Sequence, residues 1–275
     1  MLRIAVLLFT IFSATSSVLA AGETWYDSSF VKRAFFEVAL KNEYRTGYKP
    51  LNKWDTPVKI WVIHQVPDVA LHDELTDLHI QHLTDITSFP IERAKSEQEA
   101  NIRWIYTNEK QWVGDIEKEL GKPSTKNLRG VVCKAGYRVN SSTKNIVQAS
   151  IIIPADQARE RGKLLACIVE EITQVLGLPN DSPHAYPSIF NDETPDDLLS
   201  PLDIVLLQLL YEPELKSGMT KSQLEPVVSK ILNRYQSQGV LSGAVQEAKG
   251  APLLNCSNNY CILVSFIVFI TRAYT

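Results

Sequence analysis

The sequence predicts an α+β domain, and three observations carry that prediction. Strand-like runs alternate with helical segments through the first 150 residues or so. A long amphipathic segment follows, stopped by glycine and proline. Beyond an irregular loop, two more helices are marked by their capping residues.

Taken in order, the chain opens with Arg3, an apolar run from Ile4 to Phe12, and small residues ending at Ala20 and Ala21. That pattern reads as a signal peptide over residues 1–20 and predicts export, to the periplasm or outside the cell. Residues 21–57, with a helix over Val31 to Leu40, read as an N-terminal extension packed on the domain. The domain itself, residues 58–236, starts with a strand at Val58 to Ile63, an amphipathic helix at Val69 to Ile86 and an alternating strand at Ala100 to Tyr106.

A helix over Trp112 to Leu120 and strands at Gly130 to Cys133 and Asn145 to Ile153 come next, the last stopped by Pro154. One long helix is then expected from about Asp156 to Leu176, ended by Gly177 and Pro179. Asn180 to Asp197 is a turn-rich loop. Ser200 with Pro201 and Asp203 starts a helix to Tyr211, and Thr220 with Gln223 starts another to Gln236. Residues 237–275 read as a tail whose run Cys261 to Ile270 is shorter than the ~20 residues of a spanning helix, so membrane contact is not expected. No internal repeat is visible.

A formal charge of -3 with evenly scattered Lys and Arg leaves no basic stripe, which sets aside nucleic acid and anionic lipid as main partners. The 4 cysteines, Cys133, Cys167, Cys256 and Cys261, fit two disulfides in an exported chain. Three connectivities are open. Cys133 with Cys167 is favoured, a loop of about 35 residues worth ~3 to 4 kcal/mol on a chain-entropy estimate.

On the long helix, Leu165, Ile168, Val169, Ile172, Val175 and Leu176 share one face, leaving Glu170, Glu171 and Gln174 on another. Glu170 and Gln174, at i and i+4, can converge on one point. Any amphipathic helix shows polar residues there, so this spacing alone is weak. The longer string Glu170 to Asp181, EEITQVLGLPND, resembles the HExxHxxGxxH signature of metzincins, in the matrixin form that continues ALGLPH. The resemblance puts Glu171 at the general-base glutamate and Gly177 at the turn glycine. Glu170, Gln174 and Asn180 then hold the three zinc-ligand positions, and none is histidine.

Further on, Ser188 to Asn191 resembles the turn that carries a methionine beneath the metal, with Phe190 in the methionine's place, and Ser200 to Tyr211 resembles the matrixin C-terminal helix. EEITQVLGLPND, SIFND and YEPELKSGM together closely resemble an exported bacterial family, domain of unknown function 2927. The resemblance implies a zincin-like fold: a mixed sheet, a long active-site-type helix and additional C-terminal helices. It implies no reaction.

Zinc prefers imidazole and thiolate, so a carboxylate and two amides in place of three imidazoles predict neither tight zinc nor a conventional zinc peptidase. No cofactor is expected. Oxygen donors from Glu170, Glu171, Gln174, Asn180 and Asp181, with His184 nearby, would suit a non-zinc divalent metal better. The first functional expectation is a pseudo-metallopeptidase that binds a peptide or protein in the cleft between Asn145 to Ile153 and the long helix. The alternative is an atypical hydrolase using Glu171 with such a metal or with a second carboxylate, Asp181 being the better placed.

Three other groups read as ordinary structure. Ser182 and Ser188, flanking His184, read as turn caps. His72, His79 and His82, with Glu74 and Asp77, read as solvated helix surface. Asp192, Glu193, Asp196 and Asp197 read as acidic residues preceding a helix.

Overall fold

The computed structural model describes residues 27–41, 47–195 and 197–254. The expected signal peptide, the pairing of Cys256 and Cys261, and the apolar run from Cys261 lie outside the described residues, as does Asp196.

Among the described residues, five strands form one mixed sheet. They are β1 (Val58–His64), β2 (Ile91–Arg93), β3 (Ile102–Thr107), β4 (Lys134–Val139) and β5 (Ile146–Pro154), in the order β2-β1-β3-β5-β4. All pairings are parallel except β4 with β5, so β4 is an antiparallel edge strand. β5 is covered on both faces, and for that reason Ile151, Ile152 and Ile153 run without alternation and are all buried. Ile152 faces α3 (Glu109–Leu120) in a small cluster with Ile105, Trp112 and Ile116. Ile151 and Ile153 join the main core on the opposite face, with α2 (Val69–Thr87) and the later helices.

Five details depart from the sequence reading. Residues 28–54, expected as an extension, supply main-core residues themselves: α1 (Ser28–Leu40) buries Val31, Phe35 and Val38, and Leu51 and Trp54 follow. The strand expected at Gly130 to Cys133 lies just beyond, at β4, where Gly136 lowers the strand signal. A side chain at 136 would press on Leu120, its Cβ only 3.0 Å from Leu120 Cδ2. β2 is three residues long, too short to show a period.

The expected single long helix is two, α4 (Ala155–Glu160) and α5 (Leu164–Val175). Gly162, at φ +65°, breaks it inside the charged run Arg159 to Lys163, which has no apolar residue to hold a continuous face against the core. Finally, the expected tail begins with a helix, α8 (Val240–Lys249), seated by Leu241 and Ala244.

The two capped helices form as expected. Ser200 and Asp203 make the reciprocal capping box of α6 (Pro201–Tyr211), and the Thr220 N–H donates to Gln223 Oε1 at 2.9 Å ahead of α7 (Lys221–Gln238). No helix among the described residues is long and apolar enough to cross a membrane.

Candidate functional site: a carboxyl-lined cleft

α5 is fixed at its C-terminal end by side chains from two distant segments. Its last carbonyls, which have no partner within the helix, accept hydrogen bonds from Trp54 Nε1 (to Val175, 2.9 Å) and, one residue on, from Tyr211 Oη (to Leu176, 2.9 Å). The chain then turns at Gly177, whose φ is +130°. A Cβ there would lie 2.5 Å from the Asn52 carbonyl oxygen, so both the backbone angle and the close approach require glycine. The turn brings Asp181 back beside α5.

The result is a cleft of about 440 Å³ lined by Glu170, Glu171, Gln174 and Asp181 on one side and by residues 130–135 on the other. Gln174 Nε2 donates to Glu170 Oε1 at 3.0 Å and approaches Asp181 Oδ1 at 3.5 Å. The convergence expected from i, i+4 spacing is therefore present, with Asp181 added by the turn. Glu171 is only 5 % exposed. Burial holds its carboxyl well above the ordinary range, and the negative charges of Glu170 and Asp181 push the same way. Lys134 and a backbone N–H donated by Ala135 of β4 pull against them without prevailing.

The other expected site residues fall elsewhere. Asn180 is buried with its carboxamide turned away from the cleft, donating to the Glu37 carbonyl at the end of α1 (3.1 Å) and to the Asp181 carbonyl (2.7 Å). His184 is exposed and does not line the cleft. Phe190 is fully buried in the core, and the turn that carries it is tied to α6: Ser188 Oγ donates to Asp203 Oδ1 at 2.5 Å and the Ile189 N–H to Asp203 Oδ2 at 3.1 Å. Burial pushes Asp203 up to about 6 despite those donors. Ser182 accepts the His184 N–H at 3.2 Å, so both serines serve the turn.

Of the three ligand positions, Glu170 and Gln174 meet at the cleft whereas Asn180 faces away, and two of the three carry amides. No cluster of three or more His, Cys, Asp or Glu side chains able to hold a metal ion occurs among the described residues.

The sequence reading missed Lys134 and the wall 130–133, because neither belongs to the helix that drew attention. Asp192 and Asp197, read as helix-dipole residues, line the cleft, and Asp197 pairs with Lys163 at 2.8 Å. The cleft also contains the disulfide Cys133–Cys167, the favoured pairing, which joins the lead-in of β4 to α5 one turn before Glu171.

His72, His79 and His82 are not solvated surface. They are 0 %, 1 % and 3 % exposed, on the stripe of α2 that includes Leu75, Thr76, Ile80 and Leu83. That stripe was readable at i, i+3, i+4 and i+7 spacing. His79 faces the backbone of Val169 on α5 without closing a hydrogen bond, and His82 Nε2 lies 3.6 Å from Glu247 of α8.

No curated protein and no solved structure matches the chain. A family model described as protein of unknown function (DUF2927) matches residues 28–230, from the first residue of α1 into α7. On that match, covering most of its length, the chain belongs to the DUF2927 family.

Proposed function

We propose that this protein is an exported, zincin-like pseudo-metallopeptidase that binds an extended segment of a peptide or protein partner in the cleft between β4 and α5. The observation that carries the reading is the outer edge of β4, which pairs with no strand among the described residues and gives up only the Ala135 N–H to Glu171, beside a carboxyl-lined cleft. An edge strand offers main-chain donors and acceptors to an extended chain without any metal, and the flanking carboxyl groups supply side-chain selectivity. The partner strand is β4 rather than the segment Asn145 to Ile153, because β5 is already paired on both sides. The leader-like N-terminus and the Cys133–Cys167 bridge support an oxidising compartment, the periplasm or the exterior.

A second reading has its own observation. Glu171, its pKa raised by burial and by Glu170, beside Asp181, is the arrangement from which a general acid and base of separated pKa can be made. The test is to screen the purified mature protein against extended peptides for both binding and turnover, with metal content measured by elemental mass spectrometry. Binding that persists in Glu171→Gln, with no turnover, supports the binding reading. Turnover abolished by Glu171→Gln, or stoichiometric metal lost in a Glu170→Ala, Gln174→Ala variant, overturns it in favour of an enzyme.

A further inference from the structure

One wall of the cleft is built differently from the other. The α5 wall is a helix anchored by Ile168, Val169 and Ile172, all fully buried. The facing wall, residues 126–133, belongs to no helix or strand, and its described backbone hydrogen bonds are local: Lys126 N–H to the Pro123 carbonyl and Val131 N–H to the Leu128 carbonyl. Leu128 and Val131 lean, half-buried, on the small cluster of Ile105, Trp112, Ile116 and Ile152, and Val132 leans on the main core. The covalent tie is the disulfide. Its two sulfurs are not equivalent, since Cys167 is buried in α5 while Cys133 is half-buried at the cleft.

We propose that the Cys133–Cys167 disulfide is a thiol-sensitive latch that holds the 126–133 wall against α5 and so sets access to the cleft. The proposal rests on the cleft being the binding site and adds how that site is controlled. A dithiol reductant supplies the chemistry. Its thiolate attacks Cys133 Sγ, the S–S bond breaks, and Cys167 leaves as a thiolate that takes up a proton. The second thiolate of the reductant then displaces Cys133, leaving two protein thiols and the oxidised reductant. α5 keeps its buried face, whereas the wall keeps only half-buried side chains and opens locally.

The test uses the full mature chain, oxidised or treated with dithiothreitol under native conditions, and follows trypsin cleavage after Lys126 and Arg129, both exposed, by mass spectrometry. A Cys133→Ser, Cys167→Ser variant without reductant separates this bridge from Cys256 and Cys261. The latch predicts cleavage at these two bonds at least ~10-fold faster on reduction and in the variant, with other Lys and Arg sites unchanged. Unchanged cleavage, or a rise at all sites together, overturns it.

Binding of an extended-peptide probe is measured alongside. If the wall responds and the probe binds in neither state, the latch stands and the peptide reading fails. If the probe binds equally in both states, the latch does not control the site and is overturned, while the peptide reading survives.

Discussion

The two sides of α5 bury titratable groups in opposite ways. Toward the sheet edge, Glu171 sits among Glu170, Asp181, Lys134 and the Ala135 N–H, lining a cleft. Toward α2, His79 is sealed against Val169 with neither ring nitrogen hydrogen-bonded. Desolvation acts on both and drives each toward its neutral form, so it raises the acid and lowers the base. The difference lies in what surrounds them. The carboxyl has polar neighbours and space for a ligand; the imidazole has packing. A buried ionisable group marks a candidate site only when the first condition is met.

That comparison is broken most severely at acid pH. His79 is neutral in the fold, with its pKa lowered to about 3 by burial first and then by His82. Its unfolded counterpart takes a proton near 6.5, so its contribution is full above pH 6.5 and is lost as pH falls toward 3. His79→Leu is expected to remove on the order of a few kcal/mol of acid destabilisation in urea titrations from pH 7 to 4. Equal acid slopes in variant and wild type would show that the imidazole is hydrated after all.

Gly177→Ala strikes the cleft side instead. The left-handed angle and the Asn52 oxygen together predict a loss of roughly 2 to 4 kcal/mol. A near-neutral Tm would mean that the turn carrying Asp181 relaxes freely.

Glu171→Gln has a smaller effect of the opposite pH sense. Its folded pKa is raised, so its contribution is present below about 4.5 and is lost as pH rises through the folded value. The variant should gain stability over wild type once that value is passed, read as a higher urea midpoint. No gain up to pH 9 would show that the carboxyl is ionised in the fold at little cost. Smallest is Glu247→Gln, which removes the partner of a protonated His82. Burial lowers the His82 pKa first and Glu247 only opposes it, so with Glu247 half-exposed the expected loss on acidification is under ~1 kcal/mol, read as a slightly steeper acid limb.

Much of the cleft was legible because its chemistry is local. Glu170, Gln174 and Asp181 are within twelve residues, and helix spacing plus one glycine turn suffices to gather them. Asn180 was misplaced because its partner, the Glu37 carbonyl, is 143 residues away on α1. Lys134 and the wall were invisible for the same reason. The histidines obey pattern rather than polarity: their i, i+3 and i+4 stripe on α2 points inward, although imidazole as a residue type suits a solvated face.

By itself the sequence determined most of the element types, the capped starts of α6 and α7 and the helix that carries the carboxyl groups. These follow from periodicity and short-range hydrogen bonding, which neighbouring residues decide among themselves. Only the tertiary structure decided that α1 belongs to the core, that β4 rather than β5 borders the cleft, and that Glu171 is desolvated while Asn180 looks away. Each of these depends on which distant surfaces exclude water from a given atom. Strand order and desolvation are properties of the assembled chain, and no local pattern encodes them.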